Sequence, residues 1–542
     1  MTMATSQGRI ALDPGSGAAP SSNDTSCRLI DCVSPATREP LGTIAVAGPA
    51  EVRAAVERAR AAQRSWRKTS FAERRRVLER ILGACLERAD ELCRLVSQDC
   101  GKTRENALLG EIWPVCEKLR WTIKNGEKHL VPERVSAGMM LHKRARLEFH
   151  PLGVMGAIVP WNYPMQNLLN PIIPALMAGN AIVVKPSEHV AWSSARIIEL
   201  VEDALRAEGH SHDLAQIVQG FGDTGRALIE AGIDGLVFIG SVGNGKRVLE
   251  AASRTITPVV LELGGKDPFI VCDDADLELA AHAAMSGCFI NCGQNCVAAE
   301  RVLCHESVAA AFEARVAELT RALRQGPPLA GAVVDVGAIA TPMQIAVVDD
   351  LVRRAVAEGA RLVCGGKRVL TEQGDYYAPT ILADVRPEMA IMQEETFGPV
   401  MLLGRFASDD EAIAIANGTA FGLGSSVFSR DRQRARRIAG ELEAGMAGIN
   451  EYGGMTYMAQ DLTFGGVKAS GFGRINGREG LRACCNVKAV IDDRFPLAVP
   501  SKVYPVGERD YDSAKATLQL LYGRGRERLR GLAALVKSFT RS

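Results

Sequence analysis

Three short stretches of this 542-residue sequence carry side chains able to make and break bonds at a carbonyl carbon. In Phe289-Ile-Asn-Cys-Gly-Gln-Asn-Cys296, Cys292 and Cys296 sit among Gly, Gln and Asn rather than in an apolar run. A Gly-Gln turn can bring a thiol to a cleft edge with its backbone N–H facing a substrate oxygen, as a nucleophile requires. A plainer alternative stands beside this one: Cys288, Cys292 and Cys296 as three small buried residues, since free Cys is among the most buried types. Their spacing does not suit structural zinc, His305 is the nearest histidine, and no metal is expected.

The second stretch, Leu261-Glu-Leu-Gly-Gly-Lys-Asp267, places Glu262 at the end of an apolar strand. Partial desolvation there would raise its pKa toward the range of a general base, although an ordinary strand-end Glu reads the same way. The third, Pro160-Trp-Asn-Tyr-Pro164, directly follows an apolar run. Asn162 could donate its side-chain N–H to an oxyanion, or be a turn residue. Two further segments suit a dinucleotide. Lys185-Pro-Ser-Glu188 offers an ammonium and a carboxylate for ribose hydroxyls. Phe238-Ile-Gly-Ser-Val-Gly-Asn-Gly-Lys246 joins a strand to a helix, where backbone N–H groups favour a phosphate.

These residues need a frame, and the apolar pattern supplies one. Amphipathic helical spacing runs from Glu51, through Phe71–Cys85 and through Arg88–Cys100. Val154–Val159, Ala181–Val184, Gln216–Gln219 and Gly235–Ile239 are short apolar runs, separated by helical stretches at Leu168–Ala178 and Ala191–Arg206. Such alternation marks βαβ units around a parallel sheet. A second alternating series runs from Pro258 to about Val490, with strands expected at Pro258–Leu263, Phe269–Val271, Val302–Leu303, Tyr377–Ile381, Val400–Leu403 and Ser425–Phe428. Helices are expected there at Val308–Leu323 and Gln344–Glu358. Met139–His150 alternates apolar and charged residues, as a hairpin standing off the body would. The fold class is therefore α/β, with two open twisted lobes and a protruding β arm.

Composition bounds the function. Hydrophobic residues make up 47% and charged residues 23%, which excludes disordered, collagenous and membrane-dominated chains. A net charge of +1 gives no global field for nucleic acid. Met1–Ser26 has no apolar signal core and no run of 18 apolar residues occurs, so a cytoplasmic protein with reduced thiols is expected.

Taken in chain order, the motifs resemble the aldehyde dehydrogenase superfamily. They are Pro160-Trp-Asn-Tyr-Pro, Lys185-Pro-Ser-Glu, Gly220-Phe-Gly, Gly240-Ser-x-x-x-Gly245, Glu262-Leu-Gly-Gly-Lys266 and Asn291-x-Gly-Gln-x-Cys296. Glu394-Glu-Thr-Phe-Gly-Pro-Val400, Phe421-Gly-Leu-Gly424 and Phe464-Gly-Gly-Val-Lys-Ala-Ser-Gly471 follow, and the likeness spans Cys32 to Ile491. The Trp-Asn-Tyr-Pro and Ser-Glu-His stretches resemble a subgroup of plants and fungi. The N-terminal residues lack hydrophobic periodicity, so 1–27 read as a flexible leader; the resemblance implies a Rossmann-like NAD-binding domain at 28–129 and 152–263 and a catalytic domain at 264–482. It further implies an oligomerisation arm at 130–151 and 483–495 and a homodimer or homotetramer, while the basic extension at 496–542 departs from the family.

The implied roles are as follows. Cys296 attacks the aldehyde to give a thiohemiacetal, Asn162 and the Cys296 N–H hold the oxyanion, and Glu262 activates water to hydrolyse the thioester. The cofactor would contact Val159, Trp161, Lys185, Glu188, Gly220, Gly240, Ser241, Gly245, Leu263, Glu395 and Phe397. A carboxylate at 188 would repel a 2′-phosphate, so NAD is expected over NADP. A substrate tunnel would take Tyr163, Gln166, Asn167, Asn170, Asn295 and Val297, an unusually polar set pointing to an aldehyde with hydroxyl, amide or amine groups. The absence of Trp at 170 argues against a quaternary-ammonium aldehyde. Thr396 and Thr463 depart from the usual motifs at positions expected to have no part in the chemistry.

Glu262 favours a free acid over transfer to coenzyme A, although an acylating or semialdehyde variant uses the same scaffold. A non-catalytic, membrane-apposed scaffold is the alternative of another class, and retention of Cys296, Asn162 and Glu262 argues against it. From Arg528, Leu529, Leu532, Leu535, Val536 and Phe539 recur opposite Arg530, Lys537 and Arg541. Such a basic amphipathic helix either docks on its own subunit or lies weakly on an anionic membrane.

Overall fold

A computed structural model describes residues 28–371, 374–496 and 504–540. The expected leader at 1–27 lies outside the described residues. The chain divides into two compact units, one of residues 1–131 and 149–487, the other of 132–148 and 488–542.

The larger unit holds two large sheets beside two two-stranded ones. The six-stranded sheet runs in the order Gly471–Phe472, Val259–Leu263, Gly235–Gly240, Val154–Val159, Ala181–Pro186, Ala215–Ile217. All its pairings are parallel except the first. Its central strands are buried on both faces, which is why they read as unbroken apolar runs rather than alternating ones. Helices at Pro164–Ala178, Ala191–Ala207 and Val242–Ser253 belong to this half, as do the earlier helices Pro49–Trp66 and Phe71–Glu87. The Phe71 helix starts at Ser70, which forms a capping box with Glu73. Trp66, fully buried, donates its indole N–H to the Leu176 carbonyl at 3.1 Å and ties the first helix to the Pro164 helix.

The seven-stranded sheet runs Arg361–Cys364, Thr380–Ala383, Val400–Phe406, Arg301–His305, Pro268–Val271, Ser426–Phe428, Gly448–Ile449. Only the first pair is antiparallel. At its centre Phe269 stacks on Phe428 with ring centroids 4.6 Å apart. The run Tyr377–Ile381, read as one strand, is two. Gly374–Tyr377 pairs with Arg368–Thr371 and only Thr380–Ala383 enters the main sheet. Pro379 has no N–H for a ladder and breaks the run.

Glu133–Val135 pairs antiparallel with Lys143–Pro151, and Cys485–Asp493 completes a three-stranded sheet. Within the hairpin expected over Met139–His150, Met139–Leu141 lie in the exposed turn and the returning strand runs from Lys143. Arg146 is clamped by Glu148 and Asp492. Further on, helices Asp510–Tyr522 and Arg526–Thr540 pack together where Gly531 meets Ala516 and Leu520. Leu529, Leu532 and Val536 remain exposed. Among the described residues no helix is long and apolar enough to cross a membrane.

Candidate active site

The thiol at 296 is placed by a helix that stops abruptly. Helix Leu277–Phe289 starts at Asp276, whose side chain accepts the Leu279 N–H at 3.1 Å. Beyond it Asn291, Cys292 and Gly293 take φ values of 53°, 57° and 70°, three left-handed residues that turn the chain back on itself. Only glycine fits at 293, where a Cβ would lie 2.0 Å from the Gly398 carbonyl oxygen. Gln294 locks the turn, its Nε2 donating to the Asn291 carbonyl at 3.0 Å and its Oε1 accepting the Ala340 N–H at 2.8 Å. Cys288 and Cys292 are buried in apolar surroundings, which pushes both thiols up. Cys296 is half-buried and lines a cavity of about 320 Å³.

Glu262 reaches the same cavity from the end of strand Val259–Leu263. Burial pushes its carboxyl up to about 7, only partly offset by the neighbouring Cys296 thiol, and its Oε1 has no hydrogen-bond partner. The Cys296 thiol is itself pushed well up, by burial and then by Glu262. The resting pair is therefore a neutral thiol beside a carboxyl poised near neutrality, not a standing sulfur anion.

Asn162 follows strand Val154–Val159 and is fixed on all sides. Its Nδ2 donates to the Gln294 carbonyl at 3.2 Å, and its Oδ1 accepts from Asn167 Nδ2 at 3.1 Å. Its backbone carbonyl accepts from Lys102 Nζ at 2.7 Å and Asn291 Nδ2 at 2.9 Å. Lys102 and Glu111 form an ion pair of 2.6 Å with both side chains wholly buried. The Lys102 ammonium also sits 4.0 Å from the Tyr163 ring centroid, while Glu111 Oε2 accepts the Gln166 N–H at 2.9 Å. Glu111 lies in a π-helical turn, Leu108–Ile112, of a kind often found at functional sites.

The residues expected to form the tunnel, Tyr163, Gln166, Asn167, Asn170, Asn295 and Val297, all line this cavity. Its polarity is lower than the sequence suggests. Asn167 is engaged with Asn162, and Asn295 donates to the Tyr452 hydroxyl at 2.9 Å, which in turn donates to the Val297 carbonyl at 2.7 Å. Leu109, Met455, Met458 and Phe464 supply apolar wall between them.

At the other end stand Trp161, Gly240, Ser241, Leu263, Glu395 and Phe397. Trp161 meets Phe397 edge to face at 5.5 Å. Ser241 caps helix Val242–Ser253, and Gly245 lets that helix press on Leu263, where a Cβ would come within 2.9 Å. A helix N-terminus brought this close to the sheet is suited to a dinucleotide pyrophosphate, and the donor set fits one. Val159, Lys185, Glu188, Gly220 and Gly245 do not line this cavity. Lys185 Nζ donates to Glu188 Oε2 at 3.2 Å; burial opposes ionisation of Glu188, but Lys185, the Glu188 backbone N–H and His189 together hold the carboxyl below its usual range.

Glu395 accepts the Gly265 N–H at 3.1 Å and is pushed up to about 8 by burial and by Glu300. The Thr396 hydroxyl accepts from Lys266 Nζ at 2.9 Å, within the buried Lys266–Glu300 pair. Glu300 also accepts the Thr396 and Phe397 N–H groups, both at 2.8 Å, and so sets the Phe397 backbone at φ 50°. Sequence reasoning missed Lys102, Glu111, Tyr452 and Tyr457, the last of which also lines the cavity. Two of the chain's eight tyrosines falling within six residues was the one available signal.

A model of the aldehyde dehydrogenase family matches residues 22–490. An aldehyde dehydrogenase-like protein of Schizosaccharomyces pombe is 38% identical over 505 residues, covering 91% of this chain and 96% of the relative. A succinate-semialdehyde dehydrogenase [NADP(+)] of Mycolicibacterium paratuberculosis is 37% identical, covering 85% and 96%. The NAD+ complex of an aldehyde dehydrogenase from Bacillus cereus superposes with a TM-score of 0.81 at 30% identity, covering 86% and 94%.

Proposed function

The chain belongs to the aldehyde dehydrogenase family and is an aldehyde-oxidising oxidoreductase; from that premise we propose that Cys296, Glu262 and Asn162 carry the reaction, that NAD is the preferred dinucleotide, and that the product is the free acid. The facing of Glu262 and Cys296 in a cavity that Asn162 also lines carries this reading.

As the Cys296 sulfur bonds to the aldehyde carbon, the thiol proton passes to Glu262 and the carbonyl π pair moves to oxygen. One N–H of the Asn162 amide, already oriented by Gln294 and Asn167, and the Cys296 backbone N–H steady that oxygen. Bound nicotinamide dinucleotide supplies the hydride acceptor. Loss of hydride from the thiohemiacetal leaves Cys296 acylated as a thioester. Glu262, its proton released, then takes one from water as the water oxygen attacks the thioester, and the departing sulfur regains a proton.

The Lys185–Glu188 pair supports NAD, because an ionised carboxylate accepts from a 2′-hydroxyl and repels a 2′-phosphate. In Glu262→Gln the expected outcome is one burst of NADH without turnover, with Cys296→Ser as the blank. Steady turnover of that variant without coenzyme A would remove Glu262 from the role.

The three-stranded arm supports a homodimer or homotetramer, which light scattering of the purified protein tests. The exposed Leu529, Leu532 and Val536 on a basic helix support weak binding to an anionic membrane surface. Liposome flotation of the full chain against one ending at Leu520 tests this, and equal flotation would end it.

A further inference from the structure

Behind the catalytic cavity lies a second one, of about 380 Å³, that the reaction does not use. The two share Asn170 and Ile475 as a common wall. On strand Val259–Leu263, Glu262 faces the first and Val260, on the same face about 7 Å along, faces the second.

The chemistry of the second chamber is lopsided. Lys118 and Arg474 line it, and no Asp or Glu does. Lys118 is buried on helix Trp113–Leu130 and donates to Asn476 Oδ1 at 2.6 Å, with no carboxylate paired to it among the described residues. Burial without an acid pulls its amine down to about 7. Asn476 Nδ2 and Asn170 Oδ1 are both buried without hydrogen-bond partners, in residues 5% and 3% exposed. Unpartnered buried polar atoms are rare in folded proteins and mark a place where another group belongs. Most of the remaining wall is apolar, including Met155, Pro171, Pro174 and Val260.

We propose that this chamber is a distal subsite for the far end of an amphipathic aldehyde, an ω-oxo carboxylic acid whose carboxylate meets Lys118 and Asn476 and whose methylene chain passes Asn170 and Ile475. The product is then an α,ω-dicarboxylate. This rests on aldehyde oxidation at Cys296 and specifies which aldehydes that site takes. An incoming carboxylate supplies Lys118 with the counter-charge it lacks and the Asn476 amide with an acceptor.

The test compares kcat/KM for azelaic semialdehyde with nonanal, and for succinic semialdehyde with butanal. The expected result is a preference for the acid-bearing aldehyde in the long pair only, because the short chain leaves its carboxylate in the first cavity. In Lys118→Met, the ratio for the long pair falls about tenfold, through KM. Azelate binding to Cys296→Ser protein, followed by titration calorimetry, reads the subsite without turnover and is expected to be lost on adding Lys118→Met. Should Lys118→Met fail to fold, Asn476→Leu serves in both measurements. Oxidation of nonanal with no preference in the long pair, or no azelate binding, overturns the subsite and leaves the catalytic reading standing. Azelate binding with no oxidation of any aldehyde supports the subsite and overturns the catalytic reading.

Discussion

Asn167 Nδ2 donates to Asn162 Oδ1 at 3.1 Å, so the amide expected to hold the oxyanion is oriented by a second amide one helical turn away. With its oxygen so occupied, Asn162 keeps its NH2 toward Gln294 and the cavity. Asn167→Leu is expected to lower kcat about tenfold with little change in KM, and Asn162→Ala about a hundredfold or more. Equal kcat in Asn167→Leu and wild type would show that Gln294 alone suffices.

Glu262 must be ionised to accept a proton, and burial holds its pKa at about 7. The pH profile of kcat/KM should therefore fall as pH drops through about 7, and that limb should move in Glu262→Asp. A flat profile from pH ~5.5 to ~8 would assign the base elsewhere.

The same carboxyl weakens the fold. Its folded pKa lies above the ordinary 4.5, so the folded chain holds the proton more tightly and loses stability as pH rises from about 4.5 through about 7. Glu262→Gln removes that penalty, worth at most about 3 kcal/mol above pH ~7. Thermal unfolding should show the variant gaining on the wild type with rising pH; a constant difference would contradict the assignment.

Glu188 is held ionised by Lys185 at 3.2 Å. Glu188→Gln is expected to raise the kcat/KM ratio of NADP over NAD about tenfold or more. An unchanged ratio would place cofactor choice on other residues.

Lys102 and Glu111 neutralise each other with no exposure to water. Glu111→Gln should cost about 3–5 kcal/mol in denaturant unfolding, since it strands a buried ammonium. Lys102→Met combined with Glu111→Leu should recover part of that loss. Recovery of none would mean that the bonds to Asn162 and Gln166, and not charge balance, hold this corner.

Some of this was legible in the sequence and some was not, for physical reasons. Val154–Val159 and Ala181–Pro186 announce themselves because burial on both faces removes every polar residue but Lys185. Tyr377–Ile381 misled because apolarity alone does not register the missing N–H of Pro379. Cys296, Glu262 and Asn162 stood in recognisable motifs. The partners of Asn162 did not: Asn167 looked like tunnel wall, and its role depends on where one amide points. Lys102 precedes the helix that begins at Arg104, and Glu111 sits in a π turn, so helical spacing gives no reason to pair them. The contact of Thr396 with Lys266 was equally hidden, because the two lie 130 residues apart.

The strand that carries Glu262 has, as its outer neighbour, Gly471–Phe472, with Gly471 opposite Glu262 itself. Ser470 adds a stitch, donating to the Gly264 carbonyl at 2.7 Å. On the ribosome, the inner strands of that sheet can assemble long before residue 471 emerges, while the edge bearing Glu262 stays open. Catalytic competence therefore arrives late in synthesis, and a polypeptide cut short before that point would be both inert and sticky along an unpaired edge.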